Sequence, residues 1–552
     1  MNNNQFVSFI QVLLFALRSA CPGPQAPDLP GGEVDVIKSF DARLLDADKI
    51  NIRPELPPLD TITKLQTYSA LNKTLEVDYL PPQIRPLAML RDGVPQSYNG
   101  FLKVGAGLPN AFYGEGSYYI TTVKNLDFGI NARHFSANNN KKVENQRFSE
   151  TYGAVDGTYY FDQGFAVNGK MKYNRDAVYF YGYNKLNEQL DTNQTPYSFE
   201  PEEIKQRFNI IDASGSIFNG ERTEADFNYF AGVDAYLMRD NYAARENGLK
   251  LTLDATKWFR NSDPLQIKLI TDFTSFKNSE KQTLNNFYLQ PSYTYHADRF
   301  KVKVGLNVTS HEDDFSFFPD IEASANIIEG LIGAYVGAGG DLKKNTFRSL
   351  SDYNPYIESK VDLENTRYYH FYGGVKGNFK GVDYDAQIGY KTTENLALFV
   401  ISDFMDSIPR FDAIYDSVDI FLFKASLSAP IFKGFELMGS VSQSIFSPQR
   451  EEKAWHLPTL SVNATARYTT PDQNIRFTGE FFLENGVSYK AADGTAKNLN
   501  ALFDISAGVE YFFTENIGGF VQLNNLANNR RQRWQNYPTF GLNALIGVSA
   551  RF

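Results

Sequence analysis

Few residues in this chain are placed to do chemistry. His311, Glu312, Asp313 and Asp314 stand side by side as HEDD, a histidine and three acids that could hold a hard divalent cation. They fall on a short polar loop, where acids are normally just solvated, so solvation is the reading adopted. No resident metal and no cofactor are expected. The five histidines are scattered through 552 residues, and none sits in a recognisable nucleophile motif. GAGG, residues 337–340, lies inside a strand pattern with no helix after it, so it is not a phosphate loop. Its glycines instead allow strand curvature or the close approach of neighbouring groups. Arg530, Arg531, Arg533 and Trp534 form a basic, aromatic cluster whose guanidinium groups suit an acidic or phosphate ligand. Ion pairing with acids of another loop, such as Glu451 and Glu452, is favoured over that ligand site. No enzyme is expected.

Composition narrows the classes further. A single cysteine, Cys21, excludes an internal disulfide framework and a cysteine-rich zinc site. The net charge is −10 and no Lys/Arg cluster dominates the chain, which argues against a nucleic-acid partner. Aromatics make up 15% of the residues, with 45 Phe, 33 Tyr and 40 Gly but three Trp. Mean hydropathy is −0.37, and after residue 20 no apolar run approaches the ~20 residues of a spanning helix. A Gly- and aromatic-rich, strand-patterned chain is either a soluble solenoid or propeller, or a transmembrane β-barrel.

Three regions must position these residues. Residues 1–21 have an apolar stretch from Phe6 to Leu17 followed by small residues, as in a secretory signal, although no Lys or Arg precedes it. LRSAC also resembles a lipoprotein site at Cys21, with Arg18 where that motif wants an apolar residue. Export is the expectation. Residues 22–99 are Pro-rich and poorly patterned, and they read as extended chain that lies in the periplasm or enters a lumen. From residue 100 to 552, segments of period two follow one another.

The last segment is the clearest. Phe552, Ala550, Val548, Ile546, Ala544, Leu542 and Phe540 share one apolar parity, and the other parity is polar or small except for Leu545. Between such segments, short turns (161–164, 218–221, 260–264, 296–299, 327–330, 379–382, 431–434, 470–474 and 513–516) alternate with longer polar stretches. The latter are 136–147, 184–205, 239–248, 277–285, 311–314, 343–365, 393–417, 446–455, 485–497 and 525–539. Strict short/long alternation predicts an all-β, antiparallel up-and-down barrel in an outer membrane, with tight periplasmic turns and long extracellular loops. Counting gives about 22 strands, with both ends of the barrel in the periplasm. The final strand then closes against the first near residues 100–107, its apolar face on lipid.

Two resemblances follow from these residues. A terminal Phe552 on an alternating strand with Val548 and Ile546 resembles the signal read by the barrel-assembly machinery; Ala550 departs, since that position is often aromatic. The stretch from Val521 to Phe552, with Asn525, Leu526 and Asn528 before the Arg530–Trp534 cluster, is similar to the end of a TonB-dependent receptor barrel. EVDVI, residues 33–37, is similar to a TonB box. Those receptors carry a globular plug, for which residues 22–99 are a poor match, so the resemblance implies a plug-less barrel of receptor size. Transport or translocation across the outer membrane is the expectation, with a candidate periplasmic or lipoprotein partner; the alternative is a structural or scaffolding barrel that docks a lipoprotein or secretion partner.

A lumen of this width needs an occupant. Inward positions such as Lys170, Lys172, Asp320, Glu322, Arg467, Arg476, Glu480, Glu484, Asp504 and Glu510 carry both signs, so they select no solute charge.

Overall fold

The computed structural model describes residues 98–120, 123–312, 314–402 and 407–552. The expected signal segment with Cys21, EVDVI, the Pro-rich segment up to residue 97 and Asp313 lie outside the described residues. From Gly100 onward, 22 strands of 8 to 22 residues join edge to edge into one antiparallel sheet. The first, Gly100–Leu108, pairs with the last, Asn543–Arg551, with Val104 opposite Val548. Phe552 completes the seam: its N–H donates to the Gly100 carbonyl at 3.0 Å, and its carbonyl accepts from the Gly100 N–H at 2.8 Å. The sheet therefore closes on itself, with no free edge in the wall.

The alternation decides which side chains face outward. Leu542, Ile546, Val548 and Phe552 are 48, 67, 61 and 54% exposed, whereas Leu545 and Ser549 are 3% exposed and point inward. The same parity rule holds for Val167, Met171 and Tyr173, for Phe315, Phe317, Ile321 and Ile327, and for Ile505, Val509, Tyr511 and Phe513. Phe540 leaves the pattern. The strand begins only at Asn543, and the Phe540 ring meets Phe148 edge-on at 5.4 Å inside the wall. Asp504 faces inward, accepting from Ser506 Oγ at 2.8 Å and from the Asn525 amide at 3.1 Å. A cysteine placed at 504 or 506 is therefore expected to react with a water-soluble thiol reagent, and one at 505 or 507 is not. The reverse result would mean a one-residue slip, because a slip exchanges the two faces.

Aromatic residues collect at the rim that carries the short turns. Tyr159, Tyr160, Phe161, Phe259, Phe379, Phe432, Tyr511 and Phe513 are all exposed beside the short turns. Phe161 stacks on Phe165 at 4.4 Å, Phe432 on Phe435 at 4.9 Å, and Phe552 on Tyr118 at 5.9 Å. Rings at this level form the girdle that marks a membrane–water interface. Phe552 thus belongs to the girdle and to the seam at once.

The outer connections are less uniform than the sequence predicts. Leu108 and Ala111 are joined by two residues, and Lys277 and Lys281 by three. The stretch 393–417, read as a loop, is mostly strand: Val382–Ile401 and Phe411–Phe432 run on to a connection at 402–410. The reason is burial. Leu398, Phe399, Phe411 and Ala413 are at most 5% exposed, so their strand ends are held by packing rather than solvated. GAGG, in contrast, behaves as expected. A Cβ on Gly337 would lie 2.4 Å from the Tyr372 ring, and one on Gly340 would lie 2.6 Å from Phe318.

Candidate functional site

The candidate site is a chamber inside the barrel, roofed by the outer loops. The roof begins with the 346–363 connection, which folds inward. Its helix Phe347–Tyr353 starts at Thr346, whose hydroxyl accepts from the Ser349 amide while the Ser349 hydroxyl accepts from the Thr346 amide. This capping box satisfies the first turn locally. The remaining amides are held by the barrel wall: Phe347 N–H donates to Glu246 Oε2 at 2.6 Å, and Arg348 N–H to Glu246 Oε1 at 3.1 Å. Arg348 also grips Asp212 with two nitrogens, at 2.6 and 3.2 Å. Lys344, just before the helix, pairs with Asp272 at 2.8 Å.

Apolar side chains lock the other loops onto this helix. Phe347, Leu350, Ile357, Phe180, Tyr183, Phe399, Phe411, Trp534 and Tyr537 form one buried cluster drawn from five connections and strand ends. Tyr356 stacks on Tyr537 at 3.8 Å, and Tyr537 donates its hydroxyl to the Pro409 carbonyl. Gln146 and Tyr181 both donate to the Pro538 carbonyl at 2.8 Å. The outer loops are thus tied to one another by their own side chains.

Beneath the helix lies a cavity of about 880 Å³. Its lining carries Lys170, Lys172, Lys250 and Lys344 among the cations, and Glu150, Asp176, Asp234 and Asp352 among the acids. Lys170 and Lys172 form no ion pair among the described residues, whereas Lys250 pairs with Asp234 at 3.3 Å. Elsewhere the mixed wall is largely self-paired: Lys103 and Arg476 both reach Glu510, at 3.1 and 3.4 Å, and Lys303 reaches Asp320 at 2.5 Å. Such a lining is polar and carries charges of both signs.

The residues singled out from the sequence fall in different places. Arg533 and Trp534 belong to the roof. Arg533 pairs with Glu484 at 2.7 Å and donates to the His456 carbonyl at 3.2 Å and the Tyr353 hydroxyl at 3.0 Å. Arg530 and Arg531 are exposed on the same loop. The acid that Arg533 meets is on the barrel wall, in strand Ile475–Asn485, and not on another loop; Glu451 instead pairs with Lys490 at 3.1 Å and accepts from Trp455 at 2.8 Å. His311 and Asp314 are cross-strand partners at a tight outer turn, and the His311 Nδ1 lies 3.3 Å from the Asn285 carbonyl. Glu312 is at that turn with φ +53°, and no group of three or more metal-ligating side chains forms among the described residues. Ile546, Val548 and Ala550 lie on the closing strand before Phe552. The helix went unread, although Thr346 and Ser349 have the spacing of a start signal. Glu246 could not be read, because its partners lie a hundred residues away.

One histidine belongs to the roof. His456 is fully buried; its Nδ1 lies 2.8 Å from the Phe399 carbonyl and its Nε2 accepts from the Gln535 amide at 3.4 Å. That pattern fits the neutral ring with its proton on Nδ1. Burial pushes its pKa down to about 3, and the neighbouring Arg533 charge adds to the effect. Its other neighbours, Trp534, Phe411 and Tyr353, carry no charge. An opened roof would protonate the ring near pH ~6.5. From there down to about 3 the open form holds a proton that the closed form lacks, so closure weakens as pH falls. At pH ~5 the cost is ~2 kcal/mol, or ~30-fold in the closed-to-open ratio. Glu358, pushed up to about 7 by burial and then by Asp412, works in the opposite direction. Comparing parent with His456→Phe cancels that contribution. Loop-amide exchange in the parent is expected to accelerate relative to the variant by ~30-fold between neutral pH and pH ~5. A pH-independent ratio would refute a neutral His456.

With the geometry in hand, the chain can be set against solved structures. It superimposes on the FrpB iron transporter from Neisseria meningitidis (F5-1 variant) with TM-score 0.63, at 9% identity over 83% of each chain. The ferric-catecholate import receptor Fiu from E. coli K12 gives TM-score 0.62 at 9% identity, over 83% of this chain and 82% of that one. The pyoverdine outer membrane receptor FpvA from Pseudomonas aeruginosa gives 0.60 at 10% identity, over 83% and 79%. The barrel has the fold of TonB-dependent receptor barrels. No family model matches the chain, and no curated protein matches it in sequence. The likeness of this receptor-type barrel is therefore one of architecture.

Proposed function

We propose that this chain is an outer-membrane transport barrel whose outer mouth is held shut by its own loops. The observation that carries the reading is the polar, mixed-charge chamber beneath the Phe347–Tyr353 helix inside a closed 22-strand wall. A scaffold has no need of a hydrated chamber, whereas a barrel that passes a solute needs one together with a barrier against leakage. The architecture shared with an iron transporter and with import receptors supports the same reading. The chamber lining points to a water-soluble solute bearing charges of both signs.

The test is the conductance of the full chain in planar bilayers, compared with a variant in which residues 346–361 are replaced by a short Gly-Ser linker. The parent is expected to conduct weakly and the variant several-fold better, with both retaining the heat-modifiable migration of a folded barrel. Equal conductance would remove the gated-transport reading. Phe552 is assigned to assembly rather than to solute handling, since it closes the seam and completes the girdle. Its deletion is expected to lower the amount of folded barrel while export continues; unchanged folded levels would refute that role.

A further inference from the structure

Two neighbouring outer hairpins carry a feature that solute passage does not use. Strand Phe227–Arg239 ends where Arg245–Phe259 begins, and Asp263–Lys277 ends where Lys281–His296 begins. Their register sets Arg239 opposite Arg245, Arg245 opposite Lys277, and Lys277 opposite Lys281. All four side chains are exposed, while the alternate residues Met238, Ala244, Glu246 and Phe276 are at most 1% exposed and face inward. The four cations therefore form one row on the outside of the barrel, with strand-to-strand steps of ~5 Å.

Like charges set directly opposite one another destabilise a sheet unless something neutralises them. The protein does not supply that charge. Asp240 is engaged by the Tyr242 and Ala244 amides and by the Ser359 hydroxyl, and Glu246 is engaged by the helix. Glu280 stands at the tip of the second hairpin, yet none of the four cations forms an ion pair among the described residues. The position of the row identifies what does. On the same outward face, going deeper, the first large apolar residues are Leu237, Leu249, Phe273 and Phe287, two to six positions below the cations. At ~3.3 Å per residue along tilted strands, the row stands where acyl chains give way to headgroups. Arginine and lysine there match phosphate oxygens, arginine in two-pronged fashion.

We propose that Arg239, Arg245, Lys277 and Lys281 hold the phosphate groups of an anionic glycolipid of the outer leaflet, its acyl chains lying along Leu237 and Leu249. The assignment rests on the outer-membrane placement but not on solute passage, so conductance and lipid retention can fail independently.

The test uses the full chain in nanodiscs of phosphatidylcholine containing a minor fraction of diphosphorylated lipid A, with retained lipid counted by native mass spectrometry after extraction. The R239Q/R245Q/K277Q/K281Q variant is expected to retain at least ~10-fold less lipid A while keeping heat-modifiable migration. A second variant, K124Q/R299Q/K380Q/K433Q, removes the same charge from the periplasmic turns and is expected to retain lipid A like the parent. Equal retention by the first variant, or equal loss in the second, would overturn the proposal. So would binding of inorganic phosphate in pure phosphatidylcholine discs that the first variant abolishes, because the ligand would then come from solution.

Discussion

Replacing Trp534 with alanine is expected to release the outer loops from one another while leaving the barrel folded. The indole is 5% exposed and touches four separate segments: Tyr353 at 5.5 Å, Phe399 at 5.4 Å, Phe411 at 5.4 Å and His456 at 5.3 Å. The Arg533 guanidinium lies 4.8 Å above its ring. Truncating a buried aromatic to alanine costs ~3–5 kcal/mol, and here no neighbour can collapse into the gap without leaving its own strand. The ladder and the lipid face do not touch this residue, so the loss is confined to the roof. Loop-amide exchange is expected to accelerate by ~10²–10³-fold with unchanged heat-modifiable migration. Unaltered exchange would show that the aromatic cluster does not hold the roof.

Glu246→Ala is expected to have an effect as large, by a different route. The carboxylate is 0% exposed and accepts from the Phe347 amide, the Arg348 amide and the Tyr236 hydroxyl, the last at 2.8 Å. Removing it leaves three buried donors unanswered at ~1–3 kcal/mol each, or ~3–5 kcal/mol if the roof relaxes in part. The helix then loses its carboxylate anchor to the wall, leaving the Arg348–Asp212 pair and the apolar packing of Phe347 and Leu350 to hold it. Conductance is expected to rise toward that of the 346–361 replacement. Glu246→Gln keeps one acceptor oxygen and should lie between the two. If Glu246→Ala conducts like the parent, the helix is not what bars the chamber.

These two residues mark where the sequence ceases to be legible. The barrel could be read because each strand repeats its own rule every two residues: Phe315, Phe317 and Ile321 declare a lipid face without reference to anything distant. The closing strand could be read for the same reason. The roof obeys no local period. Trp534 and Phe399 lie 135 positions apart, and the polar residues around 393–417 disguise strand ends whose inward faces are buried. The cationic row was hidden in another way. Arg239, Arg245, Lys277 and Lys281 are no cluster in the chain, and only cross-strand register makes them neighbours. The Arg530–Trp534 cluster shows the converse, since two of its residues spend their chemistry on the wall and on other loops.

The roof also constrains the order in which this molecule can be made. Gln146 and Tyr181 both donate to the carbonyl of Pro538, across separations of 392 and 357 residues. Pro538 lies in the connection that leads into the last strand, so these bonds cannot form until nearly the whole chain has been delivered. Contacts spanning such distances are slow to close and follow the local hairpins. The loops must therefore stay unassembled, with Tyr183, Phe347 and Trp534 still wet, until the connection that holds Pro538 has arrived. A finished roof is the mark of a chain delivered almost to its end.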